Sequence, residues 1–259
     1  MKILYFTATG NSLAAAKKIG GEMISIPHAI KNNQYEFEDD VIGLVFPTYC
    51  CYPPKIIRGF IAKAKLKSNY LFAIATYGNA MGKGGDGSEM LEFDKIAKAV
   101  GHKFNYLNSI LMVDNFIDNF DIDKEIEKIP SKRIDESLGV IIDDINKRKD
   151  YIKDPGFSGK MITSMCRGLV KSQDRGLAAQ KFIVSDACNG CGICAKVCPY
   201  RNITIEDGKP QFNTNCLNCY GCIHNCPQTA IHKKSEKSDK RWRNPNVGLK
   251  EIIDANNQY

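Results

Sequence analysis

The run Cys188-Asn189-Gly190-Cys191-Gly192-Ile193-Cys194-Ala195-Lys196-Val197-Cys198-Pro199 returns 28 positions later as Cys216-Leu217-Asn218-Cys219-Tyr220-Gly221-Cys222-Ile223-His224-Asn225-Cys226-Pro227. Both copies have the form C-x2-C-x2-C-x3-C-P, and together they gather eight of the eleven cysteines into 39 positions. From Phe182 onward the composition shifts to cysteine, glycine and short polar runs. A segment of roughly 50 residues with so few large apolar groups needs a staple to fold. The residues after Met1 carry no export-signal pattern, so the expected location is the cytoplasm, and there such cysteines are metal ligands rather than disulfides.

The spacing narrows the metal. Zinc sites take cysteines in pairs, whereas each copy here holds a triplet plus one. Three cysteines on a tight loop offer three corners of a cube at once, and the fourth comes from the other copy. This is the spacing by which bacterial ferredoxins hold [4Fe-4S] clusters. Cys188, Cys191 and Cys194 with Cys226 are expected to hold one cluster, and Cys216, Cys219 and Cys222 with Cys198 a second. Ile193, Val197, Ile203, Ile205, Ile223 and Ile231 read as the apolar jacket that keeps water from the sulfurs.

Outward from this repeat the chain reads differently. Lys2 to Phe6 is a short apolar strand, Leu13 to Ile19 a helix stopped by Gly20-Gly21, and Val41 to Phe46 a second buried strand. Pro53-Pro54 opens a helix through about Ala64, Leu71 to Thr76 is a third strand, and Met90 to Val100 has helical periodicity. Phe104 to Val113 reads as a further strand and Ser131 to Lys149 as a long amphipathic helix. Strands alternating with helices predict an α/β fold with a doubly wound parallel sheet. The expected organisation is residues 1–154 as this domain, 155–181 as a basic connector with a helix over Met161 to Ser172, 182–231 as a small α+β cluster domain, and 232–259 as a basic tail.

In such a sheet the ligand sits at the carboxyl ends of the strands, at the switch point. Thr7-Ala8-Thr9-Gly10-Asn11-Ser12 lies between the first strand and first helix, where unpaired backbone N–H groups make an anion site. Hydroxyls at 7, 9 and 12 add donors, and Gly10 permits close approach. The next two strand ends carry Pro47-Thr48-Tyr49-Cys50-Cys51-Tyr52 and Thr76-Tyr77-Gly78-Asn79.

With these loops the front half resembles flavodoxin, and the whole chain resembles the flavodoxin–ferredoxin fusion proteins of anaerobic microbes. The resemblance implies FMN, with its phosphate on Thr7, Thr9, Gly10, Asn11 and Ser12. It places the isoalloxazine between Pro47, Thr48 and Tyr49 on one side and Thr76, Tyr77, Gly78 and Asn79 on the other, with Tyr49 or Tyr77 stacking on it. One departure stands out: flavodoxins commonly place a glycine beside the flavin N5, and Thr48 to Tyr52 contains none.

The net charge of +7 is concentrated in 155–181, with five basic residues and one acidic, and in 232–259, with seven and four. These stretches read as solvated faces or as a surface for an acidic redox partner. No apolar run is long enough to span a membrane, nothing points to nucleic acid, and a homodimer stays open. His28, His102, His224 and His232 form no ligand pattern, and Trp242 reads as docking the tail. Cys50, Cys51 and Cys166 stand outside the repeat.

A chain with two one-electron carriers and one two-electron carrier reads as an electron-transfer iron–sulfur flavoprotein whose partners are ferredoxin- or oxidoreductase-type proteins. Two alternatives remain at this point. One is an oxidoreductase that uses the flavin as a hydride site, with Gly78 to Gly87 as a lid. The other is a sensing or partner-binding module with an empty flavin site.

Overall fold

The protein is described here by a computed structural model covering residues 1–79 and 88–259. The lid assigned to Gly78 to Gly87 therefore lies outside the described residues from position 80 on.

Six strands form one parallel sheet: β1 (Lys2–Tyr5), β2 (Glu22–Ser25), β3 (Val41–Pro47), β4 (Tyr70–Tyr77), β5 (Tyr106–Leu111) and β6 (Tyr151–Ile152), in the order β2-β1-β3-β4-β5-β6. Every pair is parallel because the chain returns through a crossover before each new strand. The strand order reverses direction between β1 and β3, which makes that junction the switch point.

Alternation along β1 explains the two-layer packing. Ile3 and Tyr5 face one side with Val45, Phe72, Ile74 and Tyr106, under helices α1 (Asn11–Ile19) and α4 (Ile134–Asn146). Leu4 and Phe6 face the other with Leu44, Phe46 and Leu71, under α2 (Lys55–Ile61) and α3 (Ser88–Ala99). Phe6, Phe46, Phe60, Phe72 and Phe93 are wholly buried, each worth about 1.5–3 kcal/mol of apolar transfer.

The expected elements are present with shifted ends. The strand read over Phe104 to Val113 is confined to Tyr106–Leu111, and the helix read over Ser131 to Lys149 runs Ile134–Asn146. The strands β2 and β6 were not legible, since one is half exposed and the other is two exposed residues at the sheet edge.

The connector is a helix, α5 (Gly156–Gln173), longer than the sequence pattern suggests. Gly159, Thr163, Cys166 and Val170 are buried along one face, and Tyr52 Oη donates to the Thr163 carbonyl at 2.9 Å. The segment is therefore docked on the sheet domain.

The cysteine-rich segment contains two short antiparallel pairs, Ile203–Glu206 with Lys209–Phe212 and Phe182–Val184 with Ile231–Lys233. Its buried residues Ala195, Val197, Ile203, Tyr220 and Ile223 belong to the same apolar cluster as the α1 face of the sheet. The tail ends in α6 (Leu249–Asn256). Trp242 is 7% exposed, and its indole Nε1 donates to Asn11 Oδ1 at 3.2 Å, so the tail docks as expected. Among the described residues no helix is long and apolar enough to cross a membrane.

Candidate functional site

The crossed grouping of the eight cysteines is present in the fold. Cys188, Cys191, Cys194 and Cys226 line one cavity of about 20 Å³, together with Ile193, Ile205 and Ile231. Cys198, Cys216, Cys219 and Cys222 line a second of about 20 Å³, together with Val197 and Ile203. Local geometry drives this. Gly190 and Gly192 adopt left-handed φ of 71° and 72° and wrap the first loop, while the single-turn helices Ile193–Lys196 and Gly221–His224 carry the third cysteine of each copy inward.

Backbone donors surround the sulfurs. Asn202, Asn218 and Ala230 N–H donate to Cys198, Cys216 and Cys226 Sγ, each at 3.3 Å. Burial pushes the Cys194 thiol up to about 12 and raises Cys198, Cys216, Cys219 and Cys222 as well. Iron–sulfur ligation requires thiolates, so cluster assembly here releases protons. Among the described residues no three His, Cys, Asp or Glu side chains close on one point as a single metal ion requires. Thiols set at the corners of a cubane are spread apart by its four irons.

His224, between two of the cysteines, is not a ligand. Its Nδ1 accepts the Trp242 N–H at 3.1 Å, and its Nε2 lies 2.8 Å from the Asn115 carbonyl. This pairing assigns the proton to Nε2, and burial lowers the ring to about 4.

A cleft of about 670 Å³ opens at the carboxyl ends of β1, β3, β4 and β5. Its walls include Thr7, Thr9, Asn11, Ser12, Pro47, Thr48, Tyr49, Thr76, Tyr77, Gly78 and Asn79. Gly10 is the one residue of the expected set that the fold does not bring to the wall. Its φ is +97°, and an added Cβ would lie 3.0 Å from Asn244 Cβ and Val247 Cβ. Close approach at Gly10 thus serves the tail rather than a ligand.

The loop at 7–12 has its carbonyl acceptors taken by the tail and the cysteine-rich segment and most of its backbone donors unspent. Asn256 Nδ2 donates to the Thr7 carbonyl (2.9 Å), Asn225 Nδ2 to Ala8 (3.0 Å) and Asn244 N–H to Thr9 (2.8 Å). Among the described residues the N–H groups of Thr9, Asn11, Ser12 and Leu13 have no acceptor. Thr7 Oγ1 accepts the Gly10 N–H at 3.0 Å and Thr9 Oγ1 accepts from Asn115 Nδ2. Ser12 Oγ and Thr76 Oγ1 are 2.8 Å apart. Each of these hydroxyls, or one of the last pair, keeps its own proton to donate to an anion.

Two features of the cleft escaped the sequence reading. Asp114, Asn115 and Phe116 after β5 form a further wall, a placement that follows from the same strand-end rule once β5 is assigned. Gly78 is packed against it, since an added Cβ would fall 2.4 Å from Asp114 Cα. Burial raises the Asp114 carboxyl, against donors from Phe116 and Asn79. Lys132, 6% exposed, fixes these loops by donating to the Gly78 and Met112 carbonyls (2.6 and 2.8 Å) and pairing with buried Glu125 at 3.2 Å.

The cleft and the second cysteine cavity share a wall. Cys219 and Tyr220 line both. Tyr49 stands on the cleft with its hydroxyl buried and, among the described residues, unpartnered. Burial raises its pKa, with Cys219 and Cys216 adding to the rise.

Residues 187–231 match the family model of the 4Fe-4S dicluster domain. The chain is also similar to a ferredoxin of Pyrobaculum islandicum (strain DSM 4184 / JCM 9189 / GEO3), at 36% identity over 67 residues, covering 23% of this chain and 63% of that protein. The chain thus spans less than two thirds of the length of this curated relative. Its C-terminal part is a ferredoxin-type iron–sulfur domain, and it follows a mixed α/β domain whose six-stranded parallel sheet is consistent with a flavodoxin-like core.

Proposed function

We propose that the protein is an electron-transfer iron–sulfur flavoprotein in which two [4Fe-4S] clusters exchange electrons with FMN. The observation that carries this reading is the wall shared by the cleft and the second cysteine cavity, both of which Cys219 and Tyr220 line. Clusters carry single electrons and a flavin carries one or two, so their chemistry converts between the two.

The chain's own residues bind and insulate. The N–H groups of Thr9, Asn11 and Ser12 and the hydroxyls of Thr7, Thr9 and Ser12 take a phosphate, with no acidic side chain in the first turn of α1. Pro47, Thr48 and Tyr49 and the neighbouring strand end Thr76, Tyr77, Gly78 and Asn79 line the remaining space, which is offered to a planar aromatic ring. Ile193, Ile205 and Ile231 exclude water from the first cysteine set, and Val197 and Ile203 from the second. Redox proteins of ferredoxin or oxidoreductase type are the partners, in the reducing cytoplasm.

Iron, acid-labile sulfide and released flavin per chain test this on protein reconstituted without oxygen. About eight iron, eight sulfide and one FMN are expected. Full cluster content with no retained FMN after flavin addition overturns the relay and leaves the front domain a scaffold.

A further inference from the structure

Three cysteines outside the repeat meet on the cleft wall: the neighbours Cys50 and Cys51, and the distant Cys166. Cys51 and Cys166 lie in one buried apolar cluster with Tyr52 and Val170, and Cys50 packs against it. The pair is brought together by two elements stapled to each other. Tyr52 Oη donates to the Thr163 carbonyl at 2.9 Å, and Gln173 Nε2 donates to Cys50 Sγ at 3.3 Å. Thr163, Cys166, Val170 and Gln173 follow one face of α5 at spacings of three and four.

The turn that presents Cys51 is conformationally costly. Tyr49 and Tyr52 exchange backbone hydrogen bonds of 2.9 and 3.1 Å, which makes Cys50 and Cys51 the two central residues of a two-residue hairpin. Both have left-handed φ, 50° and 61°. Such turns favour Asn-Gly, and a side chain at either position carries a steric cost. Strain of this kind, held at a ligand-sized cleft by contacts from a docked helix, marks a site rather than a packing accident.

We propose that Cys51 and Cys166 form a dithiol–disulfide couple on the cleft wall that exchanges two electrons with low-molecular-weight disulfides. In the step, Cys51–SH and Cys166–SH together with R–S–S–R give one Cys51–Cys166 S–S bond and two R–SH. The S–S bond of the small molecule breaks, the protein sulfurs are oxidised, and both protons leave on the released thiols. The bond locks the hairpin 49–52 to α5. Cys50 is held aside by Gln173 and takes no part in the final bond. The couple requires no group bound in the cleft.

The experiment equilibrates the cluster-loaded protein, without oxygen, in glutathione buffers from fully reduced to fully oxidised. Samples are acid-quenched, alkylated and peptide-mapped by mass spectrometry, while cluster absorbance is followed before quenching. The expected result is a Cys51–Cys166 cross-linked peptide appearing with a single midpoint while the cluster absorbance holds. Cys50→Ser retains the cross-link, and Cys166→Ser abolishes it and leaves Cys51 alkylated. Alkylation of Cys51 and Cys166 at every buffer composition, or a cross-link running through Cys50, overturns the proposal. The wild-type map decides this even where a variant does not fold.

Discussion

The side-chain amide of Asn225 donates to the Ala8 carbonyl at 3.0 Å and to the Gly221 carbonyl at 2.9 Å. One residue therefore joins the loop that ends β1 to the turn carrying Cys222, in the step before Cys226. Asn225→Ala leaves a buried carbonyl without its donor, which costs about 1–3 kcal/mol. Thermal unfolding of the cluster-loaded protein is expected to fall accordingly, and FMN titration to show weaker binding, because the loop loses a support on its far side. An unchanged midpoint shows that the contact is not part of the folded interface.

Asp118 ties the front domain to the second cysteine loop. It accepts from Tyr220 Oη at 2.7 Å and Ser235 Oγ at 2.6 Å, and it pairs with Lys233. Burial raises its carboxyl, but donation from Lys233, Ser235 and Tyr220 outweighs this and holds it below the ordinary aspartate value. A carboxyl depressed in the folded state adds stability above its unfolded value, and that contribution disappears as pH falls through the folded value. Asp118→Asn is expected to cost about 1–3 kcal/mol near neutrality. Its unfolding midpoint should converge with that of the wild type as pH is lowered below about 4. A gap that stays constant well below that pH excludes the ionised carboxylate as the cause.

The Tyr49 hydroxyl is buried, and Cys219 and Cys216 add to the rise that burial imposes on its pKa. With clusters loaded, donation from this hydroxyl to a sulfur would raise a cluster potential. Tyr49→Phe is expected to move one of the two cluster potentials to more negative values in an EPR-monitored redox titration, leaving the other in place. Identical titrations for both proteins remove Tyr49 from the environment of that cluster.

Thr9 and Ser12 supply hydroxyls to the expected phosphate site. Replacing both with Val removes two donors of about 0.5–1.5 kcal/mol each, so the FMN dissociation constant should rise roughly 5- to 150-fold. Wild-type affinity in this variant places the anion elsewhere.

Gly10→Ala combines a φ of +97° with a Cβ 3.0 Å from both Asn244 and Val247. A left-handed backbone alone costs about 1–2 kcal/mol for a residue with a side chain. Limited proteolysis should cut the tail around Asn244 faster than in the wild type. Equal cleavage rates remove Gly10 from the tail's docking site.

Local rules carried the reading of this protein a long way. The doubled C-x2-C-x2-C-x3-C-P spacing marked the eight cysteines, and its likeness to bacterial ferredoxins implied the crossed grouping that the two cavities display. Apolar runs such as Val41 to Phe46 marked the central strands, and the turn after Phe6 marked the strand-end site. Contacts with no local signature were decided only by the tertiary structure. The edge strands β2 and β6 take their form from neighbours rather than from an apolar pattern. Gly10 faces the tail, and Asn225, Asn244 and Asn256 reach the carbonyls of Ala8, Thr9 and Thr7 across more than 200 positions. Cys51 meets Cys166 only because α5 docks on the hairpin that follows β3. Periodicity and spacing report what each residue asks of its immediate neighbours, while which distant surfaces meet is chosen by burial summed over the whole chain.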